Sequence, residues 1–221
     1  MKGTLLAAIA AVFIGSGAAA FAADQTSMLP TAPADTAAMM KGTQTAVLAG
    51  GCFWGMQGVF ERLKGVVDVT AGYSGGNADT AHYEMVSTGE TGHAESIQVR
   101  FNPAQISYGT LLKVFFSIAH DPTELNFQGP DHGSQYRSAI FYANEGQKQV
   151  AEAYIRTLDA AKVYSGPIVT QVVPLKGFYA AEDYHQKFLD KNPDYPYIVF
   201  WDLPKIASLK KTHPDLVTEK M

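Results

Sequence analysis

The stretch AVLAGGCFWG, residues 46–55, holds the only cysteine of the 221-residue chain, Cys52. The apolar run over 45–49 predicts a buried strand that ends at the two glycines. Beyond the cysteine, apolar side chains recur at the spacing of one helix face, at Trp54, Val59, Phe60 and Leu63. A helix over 54–64 is therefore predicted. Cys52 is expected where the strand turns into the helix.

The position of Cys52 suggests a reactive thiol. Backbone N–H groups at a helix start favour an anion, so a thiolate with a lowered pKa is expected there. Gly50 and Gly51 would allow a sharp turn and leave room beside the sulfur. The alternative is that Cys52 is a small buried hydrophobe, which is the commoner role of an isolated cysteine. The pattern alone leaves both readings open.

Composition places the chain among ordinary globular proteins. It is 47% hydrophobic and 17% charged, with a net charge of −4. This balance gives no basic excess of the kind that nucleic-acid binding requires. One cysteine excludes an internal disulfide and a cysteine zinc cluster. The length allows one domain with a core of adequate size.

The N-terminus has the features of an export signal. Lys2 precedes an apolar run over 5–14, and small residues end in Ala-Phe-Ala at 20–22. This order is typical of a secretory signal peptide over 1–22, which would export the protein to the bacterial periplasm. The apolar run is too short to favour a membrane span, and an uncleaved anchor is the alternative.

The remaining chain divides into three parts by composition. Residues 23–43 are rich in Ala, Thr and Pro without periodicity, which predicts a flexible linker. The folded domain is expected over 44–205, followed by a C-terminal tail over 206–221. Further strands are predicted at 66–73, 95–101, 138–141 and 167–173, and further helices at 107–119, 144–163 and 180–189. This alternation indicates an α/β or α+β fold with a partly parallel sheet.

Several polar residues fall in segments that read as turns. Tyr83 follows a glycine-rich loop, and Glu95 stands at the mouth of a predicted strand. Residues 129–136, GPDHGSQY, bring Asp131 and Tyr136 into one loop. Loops on a rigid scaffold often carry function, although each of these residues could be only a turn former.

The residues by themselves leave other functions open. The histidines show no metal-ligand spacing. A thiol hydrolase could use Cys52 with His132 or His93 as the base. A non-enzymatic secreted binding domain is a third possibility, with the aromatic residues, 11% of the chain, as its contact surface.

Four motifs, in order, resemble those of the A-type peptide methionine sulfoxide reductases. They are GCFWG at 51–55, GYSGG at 72–76, GHAE at 92–95 and DHGSQYRS at 131–138. The segments YHQ at 184–186 and NP at 192–193 also match, so the resemblance covers roughly residues 45–204. It implies a single catalytic domain, a ferredoxin-like α/β sandwich with a mixed sheet and an irregular C-terminal segment. The implied activity is thiol-dependent reduction of the S epimer of methionine sulfoxide, which repairs oxidised proteins.

The same resemblance implies roles for seven residues. Cys52 would be the nucleophile, and Glu95 the acid that holds and protonates the sulfoxide oxygen. Tyr83 and Tyr136 would hydrogen-bond that oxygen, and Asp131 would orient the network. Phe53 and Trp54 would form the wall that receives the substrate methyl group. A carboxylic acid kept protonated by an apolar pocket suits this chemistry, so a raised pKa is expected for Glu95.

The lone cysteine departs from the many relatives that carry additional, resolving cysteines. The oxidised Cys52, a sulfenic acid, would then be reduced directly by an external thiol of thioredoxin-like or glutathione type. No cofactor and no metal are expected. The expected partners are oxidised proteins or peptides and the thiol donor, with no nucleic acid, and the protein is expected to be a monomer.

Overall fold

The computed structural model describes residues 29–35, 39 and 41–218. The predicted signal peptide, residues 1–22, lies outside the described residues. Within these ranges no helix has the length and apolar character needed to cross a membrane.

A six-stranded sheet forms the centre of the fold. Its strands are β1 Gln44–Ala49, β2 Val66–Ser74, β3 Ala94–Phe101, β6 Ala139–Tyr142, β7 Gln171–Pro174 and β8 Phe178–Ala180. The order across the sheet is β7-β6-β1-β3-β2-β8. Only β6 and β7 run parallel, so the sheet is mixed, as expected. Two short strands, β4 Phe127–Gln128 and β5 Asp131–His132, form a separate hairpin.

In the described ranges, six α-helices connect and cover these strands. They are α1 Phe53–Glu61, α2 Tyr83–Val86, α3 Tyr108–Val114, α4 Glu145–Ala160, α5 Phe188–Lys191 and α6 Leu203–Thr212. Short π-helical turns occupy Phe115–Ala119 and Ile198–Asp202. Short 3-10 turns occupy Ala78–Thr80, Ser134–Tyr136 and Pro214–Leu216.

The central strands place the site at one end of the sheet. In the antiparallel pair β1–β3, Leu48 lies opposite Ile97, and both are buried. In the pair β2–β3, Tyr73 lies opposite Glu95. Glu95 is therefore carried by a strand that is paired on both sides, next to the strand that leads into the cysteine.

The strand-to-helix junction is confirmed, with Cys52 as the N-cap residue of α1. The strands predicted at 45–49, 66–73 and 95–101 also match the observed ones within a residue. Ser107 caps α3 by accepting a hydrogen bond from the Thr110 N–H, 3.0 Å away. The helix predicted over 107–119 changes to a π-helical turn after Val114.

The helix predicted over 180–189 is wrong. Its first residue ends β8, which pairs with β2, and α5 begins only at Phe188. Lys187 has a left-handed backbone with φ 56°, which interrupts a right-handed helix. The Gln186 side chain both accepts from and donates to the Ala71 backbone, at 3.0 and 2.9 Å. Hydrogen bonding to the sheet thus outweighs the helical pattern of this segment.

Part of the predicted linker packs on the domain. The Asp35 carboxylate accepts hydrogen bonds from the N–H groups of Tyr108 and Gly109, at 2.7 and 3.0 Å. The Tyr154 hydroxyl donates to the Pro30 carbonyl at 3.0 Å. Residues 29–35 are therefore held at the start of α3 rather than free.

The C-terminal residues also pack on the domain. The boundary predicted at residue 205 falls inside α6, where Ile206 and Leu209 are buried. Beyond the helix, the Lys64 N–H donates to the Leu216 carbonyl at 2.8 Å. Residues 206–218 thus continue the folded domain.

Candidate active site

The turn that presents Cys52 is shaped by its two glycines. Gly51 has φ +85°, and a Cβ there would lie 2.7 Å from the Cβ of Gln128. A Cβ on Gly50 would lie 2.9 Å from the His120 ring. The glycines therefore allow close packing of the turn against neighbouring segments, where the sequence had suggested free space beside the sulfur.

The Cys52 thiol is buried, with 8% of the residue exposed. Burial raises its pKa well above the ordinary value, and the charges of Glu95 and Asp202 act in the same direction. The Trp54 N–H at the helix start lowers the pKa, but it does not outweigh these effects. The lowered pKa expected from the helix N-terminus is therefore wrong for the resting site, because desolvation is larger than the helix contribution.

Glu95 lies beside the start of the same helix. It is 4% exposed, and its Oε2 accepts a hydrogen bond from the Phe53 N–H at 3.0 Å. Burial raises the pKa of Glu95 to about 8, although the Phe53 N–H opposes the shift. The raised pKa agrees with the expectation for this residue. At neutral pH the site therefore holds two protonated acids, the Cys52 thiol and the Glu95 carboxyl.

Two tyrosines face this pair. Burial raises the pKa of Tyr83, and Glu95 and Cys52 act in the same direction. The pKa of Tyr136 is raised by burial and by the same neighbours. Both phenols therefore keep their protons as possible donors. Glu182 fixes the start of α2 because its Oε1 accepts from the Tyr83 N–H at 2.9 Å.

Asp131 lies on the β4–β5 hairpin and is half-buried. Its Oδ2 accepts a hydrogen bond from the Tyr197 hydroxyl. Burial raises the pKa of Asp131, whereas the Tyr197 hydroxyl and the Lys205 ammonium oppose the shift. Asp131 thus links the hairpin to the C-terminal segment.

Aromatic rings line the same space. Trp54 stacks on Phe188 with 3.8 Å between ring centroids, and its Nε1–H donates to His185 Nδ1 at 3.1 Å. The His185 ring also lies 5.0 Å from Phe53 and 4.5 Å from Tyr83. Tyr197 meets Trp54 edge-on at 5.9 Å. An aromatic pocket of this kind suits an apolar methyl group with one polar atom.

The seven residues singled out from the sequence meet in this one place, whereas the two candidate histidine bases do not join them. The Nδ1 of His93 accepts from the Gly76 N–H at 3.2 Å, and its Nε2 lies 2.9 Å from the Asn77 carbonyl oxygen. His132 is exposed and stacks on Phe127. Both His93 nitrogens are thus engaged by backbone groups, and in the described part of the chain no hydrogen bond joins either ring to Cys52, which does not favour the thiol hydrolase alternative.

The sequence reasoning gave no role to several residues that line or support the site: Glu182, His185, Tyr197 and Asp202. His185 lay within the YHQ motif and could have been found there. Tyr197 and Asp202 lie in a stretch that was treated as irregular. No cluster of three or more histidine, cysteine or acidic residues that could hold a metal is found among the residues that the structure describes.

Comparison with known proteins gives consistent matches. The family described as "Peptide methionine sulfoxide reductase" matches residues 44–216. A protein of Mesorhizobium japonicum named peptide methionine sulfoxide reductase MsrA 2 is 58% identical over 179 residues, which is 81% of this chain and 92% of the relative. A protein of the same name from Synechocystis is 53% identical, covering 79% of this chain and 82% of the relative.

Two solved structures are similar in fold. The reduced form of Mxr1 from Saccharomyces cerevisiae superposes with a TM-score of 0.64 at 35% identity, over 75% of this chain and 92% of that one. Methionine sulfoxide reductase A of Corynebacterium diphtheriae gives a TM-score of 0.60 at 36% identity, over 73% and 82% of the respective chains.

Proposed function

The chain belongs to the peptide methionine sulfoxide reductase family, and from this membership we propose how its residues carry out the reduction of methionine sulfoxide. The protein is an oxidoreductase whose substrate is the S epimer of peptide-bound methionine sulfoxide. The observation that carries the proposal is the pairing at the start of α1, where the only thiol, Cys52, lies beside the protonated, buried Glu95. The nucleophile and the acid therefore act on one sulfoxide group from the same end of the pocket.

In the first half of the reaction, the Cys52 sulfur attacks the sulfoxide sulfur while Glu95 gives its proton to the sulfoxide oxygen. The oxygen passes to Cys52, which becomes a sulfenic acid, and the substrate leaves as methionine. The thiol proton returns to Glu95, so the carboxyl is unchanged at the end of the step. Tyr83 and Tyr136 donate hydrogen bonds to the oxygen as its negative charge develops.

The pocket walls orient the substrate. Phe53 and Trp54 receive the methyl group, and the hydrogen bond from Trp54 to His185 fixes the indole plane. Asp131, held by Tyr197, orients the polar network around the oxygen. Only one sulfoxide epimer directs its oxygen toward Glu95 while its methyl group contacts Phe53 and Trp54.

In the second half, one external thiol attacks the sulfenic acid and water leaves, giving a mixed disulfide on Cys52. A second thiol then releases Cys52 and departs as the disulfide. The donor is a thioredoxin-like protein or a glutathione-type thiol, because the chain holds no second cysteine. No bound cofactor takes part in either half.

We further propose that the protein is exported to the bacterial periplasm by residues 1–22 and repairs oxidised methionines of other proteins there as a monomer. The positive start, the short apolar run and the Ala-Phe-Ala site support this location. Cell fractionation with N-terminal sequencing would test it. Recovery of the uncleaved chain only in the cytosol would overturn the location without touching the reaction.

The reaction is tested by following both epimers of a methionine sulfoxide peptide in the presence of dithiothreitol. The wild-type chain should consume only the S epimer, and the Cys52→Ser variant should consume neither. Without added thiol, each wild-type molecule should turn over once and then stop with an oxidised Cys52, which mass spectrometry detects. Failure of the folded wild-type protein to consume either epimer would refute the proposal.

A further inference from the structure

Arg137 belongs to the DHGSQYRS motif, but the reaction scheme gives it no role. The residue is partly buried, and this burial lowers the pKa of its guanidinium. A cation withdrawn from water is normally paired with a carboxylate. In the part of the chain that the structure describes, no carboxylate forms a salt bridge with Arg137. An ion pair therefore does not explain why an arginine occupies this position.

The Arg137 guanidinium donates its hydrogen bonds to three separate segments. Its Nη2 donates to the Gly92 carbonyl at 2.9 Å, and its Nη1 donates to the His93 carbonyl at 3.1 Å. The same Nη1 also donates to the Ser134 carbonyl at 2.8 Å. The Nε donates to Oε1 of Gln171, the first residue of β7, at 3.3 Å. The planar guanidinium, with donors in several fixed directions, can join these segments, whereas a lysine ammonium is a compact point charge.

Two of the segments that Arg137 joins carry residues of the reaction scheme. Strand β3 begins directly after His93, and Glu95 is its second residue. Ser134 begins the 3-10 turn that ends at Tyr136. This turn packs against β3. The guanidinium therefore fixes the turn that carries Tyr136 to the start of the strand that carries Glu95.

A glycine leaves the room that the guanidinium needs. Gly75 lies in the GYSGG motif and has φ +104°. A Cβ at this position would lie 2.7 Å from Arg137 Nη2 and 2.8 Å from the Gly92 carbonyl oxygen. A side chain there would separate the guanidinium from its acceptor. Two of the motifs, GYSGG and DHGSQYRS, therefore meet at this hydrogen-bonded junction.

We propose that Arg137 is a positioning residue that sets the separation between the Glu95 carboxyl and the Tyr136 hydroxyl. The inference rests on the proposed roles of these two groups, which act together on the sulfoxide oxygen. Donors stabilise a developing charge only when they are held at hydrogen-bonding distance from it. A misplacement of about 1 Å can lower a rate by about a hundredfold. Arg137 thus affects the transition state more than substrate binding, because the methyl group of the substrate contacts other residues.

The test measures single-turnover reduction of the S epimer in a methionine sulfoxide peptide by the full chain. Arg137→Lys keeps the charge but cannot bridge the segments, and Arg137→Gln keeps an N–H donor but not the charge. Both variants should lower the rate at saturating peptide by about 10- to 100-fold. The half-saturating peptide concentration should change by less than about twofold, because ground-state binding is retained. A wild-type rate in Arg137→Lys would overturn the inference, because the charge alone would then suffice.

A double-mutant cycle with Tyr136→Phe separates positioning from a loss of stability. If Arg137 acts through Tyr136, removal of the hydroxyl should slow the wild type by a larger factor than it slows Arg137→Lys. A purely structural role would instead lower the melting temperature and leave the losses in rate independent of each other. Additive losses would therefore overturn the inference, as would loss of the folded state in both Arg137 variants.

Arg62→Lys is the matched control. Arg62 also donates to a main-chain carbonyl, that of Gly58 at 2.7 Å, but it lies at the other end of α1 from Cys52. Its single-turnover rate should equal that of the wild type. The wild-type reaction distinguishes the two proposals. If the wild type consumes the S epimer and the Arg137 variants match it, only the positioning role fails, whereas a wild type that consumes neither epimer refutes the reductase proposal itself.

Discussion

Glu95 and Cys52 are two acids in one buried space, and each makes ionisation of the other less favourable. During the attack the two groups need not both be ionised. Glu95 gives its proton to the sulfoxide oxygen, and the proton of the Cys52 thiol returns to Glu95. The shared burial therefore keeps both protons in place until the sulfoxide, which needs one of them, arrives.

Glu95→Gln should lower kcat/KM for a methionine sulfoxide peptide by about 10²–10⁴-fold, because the amide cannot supply a proton. In the wild type, the single-turnover rate should fall as pH rises through about 8, where Glu95 loses its proton. The variant should lack this decline. Ionisation of Cys52, whose pKa is raised well above the ordinary value, would raise the rate at higher pH, so the sign of the slope identifies the group. A Glu95→Gln rate equal to that of the wild type would exclude Glu95 as the acid.

Gly51→Ala should destabilise the protein by about 2–3 kcal/mol and lower activity, because its backbone is left-handed and its Cβ would contact Gln128. Gly42→Ala is the matched control. Gly42 also has positive φ, at +62°, but nothing lies within 4 Å of its Cβ position. It should cost only about 1 kcal/mol in urea unfolding. Equal losses in the two variants would show that packing against Gln128 contributes nothing.

The two ends of helix α1 differ in how they affect a negative charge: the dipole favours it at the N-terminus and disfavours it at the C-terminus. Its N-terminus presents the nucleophile, and its last residue, Glu61, places a carboxyl where the helix dipole disfavours negative charge. Burial raises the pKa of Glu61 to about 7, and Asp190 adds to the shift while Lys187 and Arg62 oppose it. The native state thus binds this proton more tightly than the unfolded chain does. The free energy of unfolding therefore falls as pH rises from about 4.5 through about 7, where Glu61 loses its proton.

Glu61→Gln should therefore raise the free energy of unfolding by about 1 kcal/mol at pH 8 and leave it nearly unchanged at pH 5. Urea unfolding at the two pH values measures the difference. Activity should not respond, because Glu61 lies at the far end of the helix from Cys52. A stabilisation that is equal at both pH values would contradict the titration and indicate a packing effect.

The parts of the fold that the sequence predicted well are those where local patterns and tertiary contacts agree. The apolar run before Cys52 and the alternation before Phe101 could be read directly, and both form central strands. The segment over 180–189 could not, because the Gln186 side chain bonds to a strand more than a hundred residues away. The C-terminal helix was missed because its amphipathic pattern is weak and begins at a proline-containing turn.

The candidate site could likewise be predicted only in part from the sequence. Several of its residues could be singled out from their positions in turns, but all seven received roles only through the motifs, since spacing in sequence says nothing of their meeting in space. The charge state of the thiol could not be predicted, because it depends on burial and on Glu95 and Asp202, which lie far from Cys52 in the sequence. The position of Cys52 at a helix start had suggested a lowered pKa for the thiol, whereas burial raises it.

The folded domain should require residues beyond 205 for its stability. A chain that ends at residue 205 loses most of α6, including buried Ile206 and Leu209, each of which contributes about 1.5–3 kcal/mol. We expect this truncation to be unfolded by circular dichroism, or to melt at least 10 °C lower as an order-of-magnitude expectation. A chain that ends at residue 218 is the control and should melt like the full protein. Equal melting of both truncations would restore the shorter domain boundary.

The stacking of Trp54 on Phe188, with its indole N–H bound to His185, gives the protein a built-in optical reporter. The chain has only two tryptophans, and the second, Trp201, is 46% exposed. Replacing Trp201 by Phe would leave Trp54, next to the nucleophile, as the single tryptophan, which can be excited selectively over the tyrosines. Its fluorescence would then respond to the charge and oxidation of Cys52, so that each half of the catalytic cycle could be timed by stopped flow without a label.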